Sequence, residues 1–318
     1  MPYVAKMSNA GGTKSLTRYI DFLAGNTAAL VYSAYVLGGS SSTQGSRIPW
    51  DTGTRTTLSI GVAFGGSTSS GTYVGVRGQT IAGVASGLKW AFATETQSSY
   101  ATTNSFTYVG GTYYDSTNYM WSNGGGGYPG FTNRSKLSFA NDTVTNGLAT
   151  LAVQRYGGAG YANSGGSGYA VGGYNSLTSL VSAWQKFSLS TDTSQNTGNN
   201  AEGRYDPMGT FNTGVRGYLV GGQNGGSVSI QSVEYQSFAT DSTTLQSNIL
   251  SNGAAGCGVP QQNGNGFYIC GGYWYDGTTR YESRCDFYTF ATSTNSSTST
   301  TLPSAVSSPA YFSSQAAY

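Results

Sequence analysis

The chain of 318 residues contains no histidine. The commonest metal ligand and the commonest general base are therefore both missing. Ser-His-Asp and Cys-His nucleophile systems are excluded on composition alone. Charge is nearly as scarce: Asp, Glu, Lys and Arg make up 9 % of the chain, with a formal net charge of +2, where a typical globular protein spends about a quarter of its residues on charge. No basic cluster occurs, so nucleic acid has no row of phosphate-neutralising side chains to bind. Cysteine appears three times, as Cys257, Cys270 and Cys285. An odd count confined to one late stretch is not a disulfide framework. These cysteines read as small apolar fillers of adjacent strands, with a Cys270–Cys285 bridge as the alternative.

Other absences narrow the reading further. No apolar run reaches the ~18 residues of a membrane helix, and the opening Met1–Met7 has no apolar core of a secretory signal. The expectation is a soluble chain made in the cytoplasm, with no membrane insertion. Gly124–Gly127 is not followed by the Lys-Ser/Thr of a phosphate loop. The 13 carboxylates are scattered; a pair such as Asp276 and Glu282 reads as solvated loop rather than as an acid and base. No Asp-x-Asp-x-Asp calcium loop is present. No catalytic residue, metal or cofactor is expected.

Glycine and tyrosine are abundant, with 48 and 25 copies. Low charge with many aromatics points to a packed chain, because disordered chains are charged and aromatic-poor. The glycines fall in a repeated phrase. Gly217–Tyr218–Leu219–Val220–Gly221–Gly222 matches Gly168–Tyr169–Ala170–Val171–Gly172–Gly173 and Gly266–Phe267–Tyr268–Ile269–Cys270–Gly271–Gly272. Shorter copies are Thr107–Gly111 and Tyr35–Gly39, and degraded ones Thr72–Val76 and Pro2–Lys6. Each reads as a short strand ended by glycines that permit φ > 0 or close backbone approach. Seven copies indicate a repeat architecture.

A second phrase follows each copy after a variable loop. Val233–Thr240, Cys285–Thr292, Ala183–Ser188 and Arg134–Asn141 alternate apolar and polar residues, the strand period. Most then enter a Thr/Asp/Ser/Asn turn. Two further short segments complete each unit, giving four strands and no amphipathic helix. The first glycine, or its aligned position, falls at 5, 38, 75, 110, 172, 221 and 271, with gaps of 33, 37, 35, 62, 49 and 50 residues. Four-stranded units of about 40–50 residues are the period of β-propeller blades. The expectation is an all-β single domain over residues 1–318 with seven blades. Six is the alternative, because the first three gaps are short. The C-terminal segment Pro309–Tyr318 should supply the inner strand of the blade begun by Pro2–Tyr3–Val4, closing the ring and removing two sheet edges.

Strand, glycine pair, aromatic-containing strand and turn, repeated near 50 residues, resemble the kelch repeat of galactose-oxidase-type propellers across nearly the whole chain. The kelch outer-strand tryptophan is not regularly present. The resemblance carries the scaffold and not the oxidase chemistry, since the copper-binding histidines are absent. The phrases Phe92–Thr96, Phe238–Ser242 and Phe139–Thr143 are similar to those of kelch-like repeat proteins of tailed bacteriophages. That likeness implies a non-enzymatic structural or binding module of a virion, in a tail, a fibre or an exterior attachment. Its partners would be other virion proteins and host surface polysaccharide. A cytosolic kelch-type adaptor and a glycan-processing propeller enzyme are the alternatives.

The candidate contact surface is aromatic. An inserted loop at about 112–133 carries Tyr113, Tyr114, Trp121 and Tyr128, and the last unit carries Tyr273, Trp274 and Tyr275. In an antiparallel four-strand meander, the loops between second and third strands share a face with the crossovers between units. Both aromatic groups should therefore meet on one side, where rings supply apolar area and neighbouring polar groups orient a ligand. The competing expectation is that these rings pack their loops onto the rim.

Overall fold

A computed structural model describes residues 33–37, 44–49, 54–59, 75–76, 79–80, 86–91, 96–101, 112–114, 119–124, 132–138, 141, 143–163, 165–176, 179–212, 214–226, 228–246, 250, 261–262, 265–275, 278–306 and 310–313. These residues form antiparallel strands joined by turns, and none of them is helical. The chain is all-β.

Five sheets carry the architecture; sheets B, C and D below have their strands in meander order, and sheet A takes its first strand from the far end of the chain. Sheet A joins Ala310–Ser313, Ser33–Leu37, Gln44–Pro49 and Thr56–Ser59. Sheet B holds Thr112–Tyr114, Tyr119–Asn123, Arg134–Ser138 and Val144–Asn146. Sheet C holds Ala159–Asn163, Ser167–Val171, Ala183–Ser188 and Ser194–Asn199. Sheet D holds Met208–Asn212, Arg216–Val220, Val233–Ser237 and Thr243–Gln246. Sheet E holds Gln261–Gln262, Gly266–Cys270, the long Thr279–Thr289 and Thr294–Val306. Between A and B in the chain lie two hairpins, Gly75–Val76 with Gln79–Thr80 and Ser86–Ala91 with Thr96–Ala101.

Burial explains the strand order. The second strand is buried along its whole length in sheets C and E, whereas the fourth strand of sheet C, Ser194–Asn199, is exposed almost throughout. A strand covered on both faces must be small or apolar at every position, which is why Gly168–Val171 and Gly266–Cys270 carry no charge. The core lies between consecutive sheets. Trp121 and Leu151 meet Ala170 and Phe187 between B and C. Tyr169 and Trp184 meet Leu219 and Phe238 between C and D. Tyr218 and Val233 meet Phe267 and Tyr288 between D and E. Tyr268, Cys270 and Leu302 meet Ile48 between E and A. The first strands neighbour one another in the same sequence, from Thr112–Tyr114 through Ala159–Asn163, Met208–Asn212, Gln261–Gln262 and Ala310–Ser313 to Gly75–Val76.

The glycine pair is the local device that ends each second strand. Gly221 has φ 57° and Gly222 φ 100°, and a Cβ on Gly222 would lie 2.9 Å from the Tyr205 carbonyl oxygen. The pair therefore turns the chain in left-handed backbone under a crossover that leaves no room for a side chain. The first glycine takes φ 60° at Gly124, 65° at Gly172 and 66° at Gly271. That geometry corrects the expected register. In sheet B the second strand is Tyr119–Asn123, so its terminating pair begins at Gly124, and Gly110–Gly111 instead precede the first strand. The range 112–133 is accordingly not an inserted loop, because it contains two strands. Gly75–Val76 is itself in a strand, paired with Gln79–Thr80. With Gly124 in place, the last four pairs are separated by 48, 49 and 50 residues. The Pro2–Lys6 copy lies outside the described residues.

Adjacent sheets are also latched by polar ties. The turn after the third strand of sheets C, D and E places Asp192 (φ 58°), Asp241 (φ 55°) and Ser293 (φ 54°) in left-handed backbone, where Asp is better tolerated than most residues. Asp192 of sheet C accepts hydrogen bonds from Trp121 Nε1 and Lys136 Nζ of sheet B, each at 2.5 Å. Asp241 of sheet D accepts from Tyr169 Oη at 2.8 Å and Lys186 Nζ at 3.1 Å of sheet C. Cys270 and Cys285 face each other across sheet E and form a disulfide.

The C-terminal strand was expected to pair beside Pro2–Tyr3–Val4. Pro2–Val4 lie outside the described residues; the described partner of the C-terminal strand is Ser33–Leu37, matching Val36 with Tyr311 and Leu37 with Ala310. Deleting residues 307–318 strips that strand and bares the edge of Ser33–Leu37. We expect thermal denaturation to show a loss of at least ~5 °C in one cooperative transition. A truncated chain that melts within about 2 °C of the intact one, on the same scale, would show that the pairing contributes little.

Candidate functional site

One face of the sheets is built from two kinds of segment. The first is the loop after each glycine pair; the second is the crossover that leads into each first strand. Backbone bridges tie them together at Tyr156 with Tyr174 and at Tyr205 with Gln223. The crossovers repeat a short phrase, Arg155–Tyr156–Gly157 and Arg204–Tyr205–Asp206, at a spacing of 49 residues.

Each residue of that phrase has a separate task. The fully buried Arg155 donates to the carbonyl oxygens of Gly172 and Ala183 at 3.3 and 3.2 Å. Arg204 does the same to Gly221 and Ser232, both at 3.0 Å. A guanidinium suits the position because its planar donors reach two carbonyls at once. Burial lowers the Arg155 pKa to about 10, so the group still carries its charge at neutral pH. Arg204 is further surrounded by Glu202 at 3.1 Å and the buried Glu234 at 3.8 Å. The crossover is fixed from the other side by Gln185 and Glu234, which accept the amides of Ala152 and Ala201 at 2.7 Å each.

The tyrosines of the phrase gather into a ring cluster. Tyr174 and Tyr205 lie 4.8 Å apart between centroids, with Tyr156 at 5.6 Å from both. Beside them is the hairpin of Tyr273–Tyr275 and the start of Thr279–Thr289, which pairs Tyr273 with Tyr281 and Trp274 with Arg280. Its rings are only half-buried, Tyr281 is 52 % exposed, and Arg280 sits 5.1 Å over the Trp274 ring, a cation–π geometry. The Tyr275 amide donates to Ser229 Oγ at 3.1 Å. This joins the hairpin to the sheet D loop that carries the exposed Val228.

Of the seven aromatic residues expected to form a contact surface, the structure places three together at this face: Tyr273, Trp274 and Tyr275. Trp121 is corrected. Its side chain is completely buried between sheets B and C and held by Asp192, because it occupies the second-strand position of Tyr169 and Tyr218 and not a loop. Tyr113 and Tyr114 belong to the first strand of sheet B, and Tyr113 pairs with Trp121. Tyr128 lies outside the described residues.

Asp206 is the residue that sequence reasoning missed. Its backbone is left-handed, with φ 54°, where the preceding repeat has Gly157 at φ 58°. Its amide donates to the Gly157 carbonyl at 2.8 Å. Its side chain is 3 % exposed; Oδ2 accepts from Tyr273 Oη at 3.3 Å, and Oδ1 has no hydrogen-bond partner. Burial raises its pKa to about 7, against a smaller opposing effect of the Tyr273 hydroxyl. Burial, followed by the neighbouring Asp206, holds the Tyr273 phenol well above its usual value. The signal available in the sequence was the alignment of Asp206 with Gly157, an L-residue at a position that favours glycine. Among the described residues, no group of three or more His, Cys, Asp or Glu is arranged to hold a metal ion.

Comparison with protein-family models and with curated proteins gives no match. Solved structures do match, 378 chains in all. One of them, described as the structure of YjhT, has a β-propeller-like fold and superposes with a TM-score of 0.63. The match covers 76 % of this chain and 86 % of that one at 12 % identity. At that identity the likeness establishes the fold alone: this chain is propeller-like, with four-stranded antiparallel sheets.

Trp121→Ala removes a buried indole and leaves Asp192 with Lys136 alone among these side-chain donors. We expect a stability loss of ~3–5 kcal/mol in denaturant titration, as for other buried aromatic truncations. Stability unchanged within about 1 kcal/mol would contradict the latch between sheets B and C.

Proposed function

We propose that this chain is a non-enzymatic binding module of a phage particle, a tail, fibre or exterior attachment protein whose aromatic hairpin face takes host surface polysaccharide. The observation that carries the binding reading is the half-buried set Tyr273, Trp274 and Tyr275 with Arg280 and Tyr281, next to the exposed Val228. Flat rings beside polar donors suit a polyhydroxylated ligand, since a sugar offers an apolar face and hydroxyl edges together. The virion assignment rests on the phage-like kelch phrases and the Ser-, Thr- and Gly-rich, charge-poor composition. The scaffold reading that accompanies it is a kelch-type ring of six blades. The regular 48–50 residue spacing supports it. So do the succession of neighbouring first strands and the packing of sheet E on sheet A. In this reading the hairpins at 75–101 form the blade between A and B.

The test is binding of the purified chain to bacterial surface polysaccharide, with a parallel assay for released reducing ends. Trp274→Ala is expected to weaken binding at least tenfold, about 1.4 kcal/mol, while leaving the melting temperature nearly unchanged because the ring is only half-buried. Equal binding by Trp274→Ala would remove the hairpin from the contact. Release of reducing ends by the intact chain would replace the binding reading with a hydrolytic one.

A further inference from the structure

Asp206 is expensive where it stands. It occupies left-handed backbone, buries a carboxyl group, and offers that group one long hydrogen bond, from Tyr273. The group facing it is the Tyr273 phenol of the hairpin, and Tyr205 and Tyr281 stand near that phenol. The adjacent Arg204 does not neutralise it, because that guanidinium is turned into sheet D on Gly221, Ser232 and Glu202. A carboxylic acid fits such a site and a carboxylate does not.

We propose that Asp206 and Tyr273 form a proton-controlled clasp that holds the aromatic hairpin Tyr273–Tyr281 against the face when Asp206 is protonated and loosens it when Asp206 ionises. The inference concerns regulation of the surface proposed above and rests on that surface for its biological meaning, but not for its physics. The hairpin is anchored to the neighbouring repeat at two described points, Tyr273 Oη on Asp206 and the Tyr275 amide on Ser229 Oγ. Ionisation in a desolvated pocket is relieved by admitting water, and movement of the Tyr273 side chain, whose hydroxyl lies 3.3 Å from Oδ2, would open that access.

The sign follows from burial. The folded-state pKa of Asp206 is raised from 3.8 to about 7, so the folded chain holds the proton more tightly than the unfolded chain does. The clasp's contribution is complete below the unfolded value and is lost as pH rises through the folded one. The loss belongs to the window from about pH 4 to about pH 7.

The experiment compares the intact chain with Asp206→Asn at matched pH between 5 and 8.5, reading trypsin cleavage after Arg280 and the melting temperature. Asn tolerates left-handed backbone and cannot ionise. The intact chain should be cleaved at least ten times faster at pH 8.5 than at pH 5.5 relative to Asp206→Asn, and the melting temperature of Asp206→Asn relative to the intact chain should rise from pH 5 to about pH 7 and stay level above it. Identical pH profiles for the two chains would overturn the clasp. Tyr273→Phe provides a second arm should Asp206→Asn fail to fold. Its lost hydroxyl removes the one hydrogen bond that favours the carboxylate, so the midpoint must move to higher pH; an unmoved midpoint also overturns the proposal. No ligand enters either readout. Failure here leaves the polysaccharide reading standing, and failure of polysaccharide binding leaves the clasp standing.

Discussion

The structure depends on what happens to the backbone where a fully buried strand ends. Such a strand must stop with its carbonyls satisfied and without a side chain that would collide with the neighbouring crossover. The glycine pair meets the steric requirement. Arg155 and Arg204 meet the polar one, reaching from the crossover to the first glycine's carbonyl and to a carbonyl at the start of the third strand. One guanidinium thus fixes three segments of its own sheet together: the crossover, the turn and the third strand. Gln185 and Glu234 complete the tie by accepting a crossover amide.

This explains how a chain with so little charge uses what it has. Several described charges lie inside or between the sheets: Arg134, Arg155, Arg204 and Glu234 are buried, and the pairs Lys136–Asp192 and Lys186–Asp241 bridge neighbouring sheets. Buried arginines are tolerable because each donates to fixed carbonyls or carboxylates, whose attraction offsets lost hydration. Apolar packing supplies the bulk of the contact between sheets. The polar ties set the register, since an Asp in a left-handed turn reaches its Lys and its ring only when the two sheets are correctly aligned.

The same layout separates framework from face. Rings at second-strand positions, Trp121, Tyr169 and Tyr218, are consumed by packing. Rings after the glycine pair, Tyr174 and Tyr273–Tyr275, lie at or near the surface formed with the crossovers. Residue type does not distinguish the two groups. Position within the repeat does, and it places the half-exposed aromatics of the last sheet beside the crossover whose left-handed residue, Asp206, stands where the preceding repeat has Gly157.

The β class, the four-stranded unit and the near-50-residue period were legible in the sequence because they follow from local rules. A glycine pair after an apolar run signals left-handed backbone, and alternation with period two signals a strand. The register was not legible at Thr107–Gly111, where a strand-like phrase with its own glycine pair precedes the true second strand, Tyr119–Asn123, by about ten residues. Local rules fit both phrases; only pairing with Arg134–Ser138 chose between them. The face of Tyr273–Tyr275 could be anticipated from meander geometry, whereas the burial of Trp121 could not, since it depends on sheet C, whose Asp192 lies 71 residues away. Asp206 was illegible for the same reason. Its sequence neighbours give it an ordinary turn, and the phenol that covers it stands 67 residues further on. Sequence alone determined which backbone shapes each segment can adopt. Tertiary structure decided which side chains lose water, because burial belongs to surfaces that distant segments make only when they meet.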